Sequence, residues 1–137
     1  MKILVTGGAG FIGSAFVKLL SKKKFRLHVI DNLTYASNIE PIKPLINENI
    51  IEFSKIDICD EEKLEKICYD FKPNKIVHFA AESHVDNSIT APSKFIHTNI
   101  IGTYNLLNVS LKYYNSLNNM SNRIFSMFRF NYILDKA

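Results

Sequence analysis

Short, continuously apolar runs alternate along the chain with longer runs whose apolar positions recur every three or four residues. Lys2–Thr6 is β-branched and apolar and ends at glycine, which predicts a buried strand. From Phe11 to Lys23, apolar residues at Phe11, Ile12, Ala15, Phe16, Leu19 and Leu20 predict a helix packed on one face. Arg26–Ile30 predicts a second strand, closed by Asp31-Asn32, and residues 39–46 a short helix interrupted by Pro41 and Pro44. Ile50–Ile56 predicts a third strand. Asp60 is placed to cap a helix over Glu61–Phe71, Pro73-Asn74 makes a turn, and Lys75–Phe79 predicts a fourth strand. Pro92 suits the first turn of a long helix reaching about Tyr114. Asn115–Asn122, with four asparagines, predicts a loop, and Ile124–Ile133 a fifth strand.

Strands alternating with helices of this length predict parallel βαβ units. Right-handed crossovers then give an α/β fold of the Rossmann type. The expected sheet is doubly wound and parallel, in the order 3-2-1-4, truncated at about four to five strands. The long helix carries two apolar stripes. Ile96, Ile100, Leu107 and Leu111 make one; Phe95, Leu106, Val109 and Tyr113 make the other. One can pack on the sheet. The second needs another partner, either a missing domain or a second subunit, so a homodimer through helix 92–114 is expected.

Composition narrows the class. The 137 residues suffice for one domain, and 47% hydrophobic with 22% charged residues is ordinary for a globular protein. No apolar run approaches the roughly 18 residues that span a membrane, and the N-terminus lacks the pattern of a signal peptide. No membrane partner is expected, and the location is expected to be cytoplasmic. The net charge is +4 and the isoelectric point near 9.0, but the lysines are scattered apart from Lys22–Lys24, so no nucleic-acid partner is expected. Cys59 and Cys68 lack C-x-x-C spacing and read as free thiols of a reducing compartment. His28, His78 and His97 lack ligand spacing and read as packing residues, so no metal is expected.

The chemistry lies in the first loop. Gly7, Gly10 and Gly13 form G-x-x-G-x-x-G between the first strand and the first helix. Gly7 permits a tight turn, Gly10 lets the backbone approach a pyrophosphate, and Gly13 brings helix and strand together. The helix then directs free N–H groups at the phosphates. No Gly-Lys-Ser/Thr follows, so this is not a Walker A loop. Asp31 lies 18 residues after Gly13, at the end of the second strand. It can accept from the adenosine ribose and repel the extra phosphate of NADP, or it can simply cap a turn. At ~4 Å and an effective dielectric of ~20 that repulsion is about 4 kcal/mol per unit charge, and a third of it is about tenfold in affinity. The expected cofactor is therefore NAD. Asp57, after the third strand, can face an adenine amine or start a turn.

With those residues in view, Thr6–Ser14 resembles the signature of the extended short-chain dehydrogenase/reductases. Asp31-Asn-Leu-Thr-Tyr35, His78-Phe-Ala-Ala-Glu-Ser-His-Val-Asp-Asn-Ser88, Phe95–Ile100 and Gly102–Leu107 make residues 1–114 similar to the dTDP-glucose 4,6-dehydratases within it. The resemblance implies NAD as cofactor and dTDP-glucose as substrate of the full-length family. It implies that Phe11 and Ile12 line the pyrophosphate turn, and that Asp31, Asn32, Leu33 and Thr34 surround the ribose. It further implies that Asp57 and Ile58 hold the adenine. Phe79, Ala80, Ala81, Glu82 and Ser83 would run beneath the nicotinamide, Ser83 also touching substrate, and Thr98 would contact the cofactor. His84 and Asp86 can form an acid–base pair, but the family places that chemistry elsewhere, which leaves them structural or substrate-shaping.

The family mechanism needs a tyrosine with a lysine four residues on, and an Asp/Glu pair in a Thr-Asp-Glu motif; the motif is not found in this sequence. Tyr132 and Lys136 have the first spacing, without room before them for the missing strand and loop, and read as a decoy. The expected organisation is therefore a cofactor-binding domain over 1–118 and an atypical tail over 119–137. No catalytic residue is assigned, and this chain alone is expected to be inactive. Other readings are a non-catalytic dinucleotide-binding or dimerising module, and another nucleotide-sugar enzyme such as an epimerase. Residues 80–86 speak against the last.

Overall fold

A computed structural model describes residues 1–83, 89, 91–117 and 126–129. The elements in chain order are β1 (Lys2–Thr6), α1 (Phe11–Ser21), β2 (Arg26–Asp31), α2 (Lys43–Asn47), β3 (Ile51–Lys55), α3 (Glu61–Phe71) and β4 (Lys75–His78). They are followed by α4 (Pro92–Phe95), a π-helical stretch (Ile96–Gly102), α5 (Thr103–Ser116) and β5 (Ser126–Arg129). All strand pairs are parallel and the order is β3-β2-β1-β4-β5. This is the expected doubly wound sheet, with the fifth strand present and shorter than its apolar run.

Strand periodicity divides the core in two. Ile3, Val5, Leu27, Val29 and Val77 face Val17 of α1 and Ile42 beside α2. Leu4, Ile30 and Ile76 face Leu64, Ile67 and Phe71 of α3 and Leu106, Val109 and Tyr113 of α5. Asp60 caps α3 as expected: its Oδ1 accepts from Lys63 N at 3.1 Å, and its Oδ2 pairs with Lys63 Nζ at 2.6 Å. Lys72, in the left-handed region at φ 54°, ends α3. Among the described residues no helix is long and apolar enough to cross a membrane.

Three expectations change. Helix α1 packs through Gly13, Ser14 and Val17, while Phe11, Ile12 and Leu19 stay exposed. The apolar spacing placed Phe16 and Leu20 correctly, since both pack against the core, but missed Gly13, Ser14 and Val17, which make the closest approach. Helix α2 begins at Lys43, after Pro41, with Pro44 in its first turn where a missing N–H costs nothing. The long helix runs to Ser116, two residues into the expected loop, and its first half is wound wide. Its two stripes separate as anticipated. Leu106, Val109 and Tyr113 are buried, whereas Ile96, Ile100, Leu107 and Leu111 are each more than half exposed.

His28 is buried on β2 against the edge of Phe71, at 5.2 Å between ring centroids. Its Nε2 shares a hydrogen bond with Ser54 Oγ at 2.9 Å, but its Nδ1 has no hydrogen-bond partner. Burial pushes the imidazole pKa below its usual 6.5, outweighing the opposite pull of Glu52. The neutral form is thus favoured in the fold. Its contribution to stability is present above pH 6.5 and is lost as the pH falls below it, because the unfolded chain then binds the proton more readily. Urea midpoints should therefore drop between about pH 7.5 and pH 5. His28→Gln should flatten that slope, and an unchanged slope would assign it to other groups.

Candidate functional site

The carboxyl ends of β1, β2, β3 and β4 open into one cleft. Gly7, Gly10, Asp31, Asn32, Thr34, Asp57, Ile58, Phe79, Ala80, Ala81, Glu82 and Thr98 line it. A parallel sheet whose crossovers leave in opposite directions from β1 produces such a crevice.

The glycine loop forms one wall. Gly7 has φ +69°, donates to Ile30 O at 2.8 Å and accepts from Gly10 N at 3.1 Å. A Cβ at Gly7 would strike the backbone of Ala80, and one at Gly13 would strike the Gly7 carbonyl. Gly13 therefore admits the loop's own carbonyl, where close packing on the strand was expected. Gly10 begins α1 with no side-chain cap and no acidic residue in the first turn, so the first-turn N–H groups are left to an outside acceptor. The Phe11 side chain is 93% exposed, and neither Phe11 nor Ile12 lines the cleft. Any part they take at an anion falls to their backbone N–H groups.

Asp31 is 6% exposed and already engaged. Its Oδ1 accepts from Leu33 N at 2.8 Å and from Ser37 Oγ at 2.7 Å; its Oδ2 accepts from Ala9 N at 2.9 Å. It caps the turn and also lines the cleft. A carboxylate has about four acceptor positions, so one remains. Leu33 adopts φ 55° to make this turn and packs inward, outside the cleft lining.

Asp57 starts a turn and faces the cleft at once. Its Oδ1 accepts from Cys59 N at 2.8 Å and its Oδ2 from Asn32 Nδ2 at 2.7 Å. Ile58 is buried under Gly102, where a Cβ would come within 2.6 Å of Ile58 Cδ1. Cys59 Sγ donates to His97 O at 3.3 Å. Burial first, then the Asp57 carboxylate, raises its pKa to about 11, so it remains a thiol. Both cysteines are free.

The segment after β4 forms the floor. Phe79 N continues the ladder to Thr6 O at 2.9 Å. Asn99, in the π-helical stretch, clamps Glu82 by accepting from its N and donating to its O, each at 2.9 Å. Across the mouth, Tyr35 Oη donates to Glu82 Oε2 at 2.9 Å. Asn99, Tyr35 and Ser37 were not singled out in the sequence; Asn99 and Tyr35 were marked only by membership in the resembling segments, and Ser37 by no signal. Ser83 is exposed and does not line the cleft. His84, Asp86, Tyr132 and Lys136 lie outside the described residues. His78 is buried between Thr6 Oγ1 at 2.6 Å and Thr103 Oγ1 at 3.2 Å, a packing role as expected. His97 departs from that expectation and is exposed. Among the described residues no three His, Cys, Asp or Glu side chains are grouped to hold a metal.

A family model described as GDP-mannose 4,6 dehydratase matches residues 4–126. The chain belongs to this family. Among its curated relatives is the dTDP-glucose 4,6-dehydratase of Salmonella typhimurium, 50% identical over 118 residues, covering 85% of this chain and 33% of the relative. A dTDP-glucose 4,6-dehydratase of Streptomyces venezuelae, solved with NAD and TYD bound, superposes with a TM-score of 0.75 at 41% identity, over 82% of this chain and 36% of the other. A UDP-glucose 4-epimerase of Thermotoga maritima, solved with UDP-glucose, gives the same TM-score at 39% identity, over 82% and 35%. Solved proteins of both descriptions thus share this part of the fold. The chain spans about a third of the length of the curated relatives it matches.

Because Asp31 holds three donors, its removal should disturb the fold as well as any ligand. Asp31→Ala should lower stability by about 2 kcal/mol in urea unfolding without ligand, the cost of unpairing buried donors from a charged acceptor. Loss of ligand affinity with unchanged stability would show that the three bonds are incidental.

Proposed function

We propose that this chain is the NAD-binding part of a dTDP-glucose 4,6-dehydratase, acting in the cytoplasm. Residues 1–118 form the cofactor-binding unit, and 119–137 a tail of different character. The reading is carried by one observation: the glycine loop, Asp31, Asp57, the Ala80–Glu82 floor and Thr98 converge on a single cleft. That cradle suits a dinucleotide, since one of its walls is glycine backbone at a helix N-terminus with no side-chain cap.

In this reading NAD supplies a hydride acceptor that later returns the hydride. The residues of this chain bind and orient it. The Gly7–Gly13 loop and the first turn of α1 hold the pyrophosphate through backbone N–H groups. Asp31 offers its remaining acceptor position to the ribose, with Asn32, Leu33 and Thr34 around it, and repels a 2′-phosphate. Asp57 and Ile58 receive the adenine. Phe79–Ser83, fixed at Glu82 by Asn99, would support the nicotinamide, with Ser83 next to the sugar and Thr98 against the cofactor. The acid–base residues of the elimination are not assigned within these 137 residues, so the chain by itself binds cofactor without turning over dTDP-glucose. General acid and base groups are each worth about 10²–10⁴ in rate.

The exposed stripe supports a second element of the proposal. Ile96, Ile100, Leu107 and Leu111 stand on the outer face of the long helix, with Tyr104 and Tyr114 beside them. A face of this kind is suited to helix–helix packing, and a homodimer through 92–114 would cover it.

Calorimetry should find NAD bound and NADP at least about tenfold weaker. Absence of NAD binding by folded protein would overturn the cofactor reading, and dehydration of dTDP-glucose by the purified chain would overturn the inactivity. Sedimentation should show a dimer that Leu107→Asp with Leu111→Asp converts to monomer. A wild-type monomer at high concentration would remove the dimer.

A further inference from the structure

We propose that Asn32 determines the base preference of the cofactor cleft, acting as a positioning residue through Asp57. This rests on the cofactor reading above and adds to Asn32, otherwise a neighbour of the ribose, a role at the adenine.

The two residues meet because β2 and β3 are parallel neighbours ending together. Asp31 is opposite Lys55, and Ile56 N continues the ladder to Asp31 O at 3.1 Å. The next residues, Asn32 and Asp57, emerge side by side at the rim, and both line the cleft. Asn32 Nδ2 donates to Asp57 Oδ2 at 2.7 Å while Cys59 N holds Oδ1 at 2.8 Å. Each oxygen is thus fixed by one donor, from opposite sides, and the carboxylate plane is set. Neither bond uses more than one acceptor position of its oxygen, so both oxygens keep capacity for an incoming donor.

The chemistry follows from what a fixed carboxylate accepts. An adenine presents an exocyclic amine to it. A hypoxanthine presents a carbonyl at the same position, an acceptor against an acceptor. The anchored Asp57 therefore selects a 6-amino purine, and Asn32 sharpens the selection by denying the carboxylate other rotamers. Without Asn32, one oxygen is free to turn away, the amine loses its aligned partner, and the carbonyl is no longer forced against the charge. Asn32 itself need touch neither base.

The test compares NAD with its analogue carrying hypoxanthine in place of adenine, by calorimetry on the whole chain. Wild type should prefer NAD. Asn32→Ala should weaken NAD about fivefold, the loss of one charge-assisted hydrogen bond's alignment. It should leave the hypoxanthine analogue within about twofold, narrowing the preference. In an Asp57→Ala background the same Asn32→Ala change should have no further effect on NAD, since the residue it acts through is gone. Equal weakening of both ligands by Asn32→Ala would reduce Asn32 to a general structural role and overturn the proposal. So would a persistent effect in the Asp57→Ala background, or a wild type indifferent to the base; in all three cases NAD binding itself would stand. A wild type that binds neither dinucleotide would overturn the cofactor reading, and this proposal with it.

Discussion

The structure turns on a point where three backbone segments meet with no side chain between them. The Gly7 turn lies against Ala80 on one side and carries its carbonyl against Gly13 on the other. One added methyl group at either glycine displaces the turn, the first helix or the floor. The consequence reaches beyond the loop. Because Gly7 N also bonds Ile30 O, the turn after β1 is tied to the end of β2, and Phe79 N ties the end of β4 to Thr6 O. The ends of three strands are thus fixed relative to one another by main-chain bonds, before any ligand arrives.

Polar residues extend that arrangement outward. Asp31 spends three of its acceptor positions on Ala9, Leu33 and Ser37, so the carboxylate expected to serve a ligand first serves the loop that would hold it. Asp57 does the same between Asn32 and Cys59, and Glu82 is gripped by Asn99 through its main chain and by Tyr35 through its side chain. Such preorganisation reduces the ordering that binding must bring about. It also means that substitutions at this rim should affect binding and folding together.

Much of this was legible in the sequence, for identifiable reasons. Strand runs such as Lys2–Thr6 are short, apolar and bounded by glycine, and parallel βαβ connection leaves few topologies, so the sheet order followed. The cleft lining was largely anticipated because the glycines, Asp31 and Asp57 all sit just beyond strand ends. The packed face of α1 was anticipated only in part: Phe16 and Leu20 pack on the core, but its most buried positions are Gly13, Ser14 and Val17, and apolar spacing weights large side chains instead. Phe11 and Ile12 were given a place in the pocket that their side chains do not take. Asn99 escaped notice because an asparagine on a helix carries no local signal. Its role arises only when the chain brings it against Glu82, 17 residues earlier.

The long helix that runs through Ile96–Gly102 and α5 has a consequence for how one element can serve two purposes. Thr98 lines the cleft and Asn99 grips its floor, while Leu106, Val109 and Tyr113 meet α3 and the core. On a uniform 3.6-residue repeat all five lie within about 60° of one mean direction, so they share one face of the helix. The start of that face is a wall of the binding cleft and its continuation a pillar of the core, so displacing either contact tilts the other along a common axis.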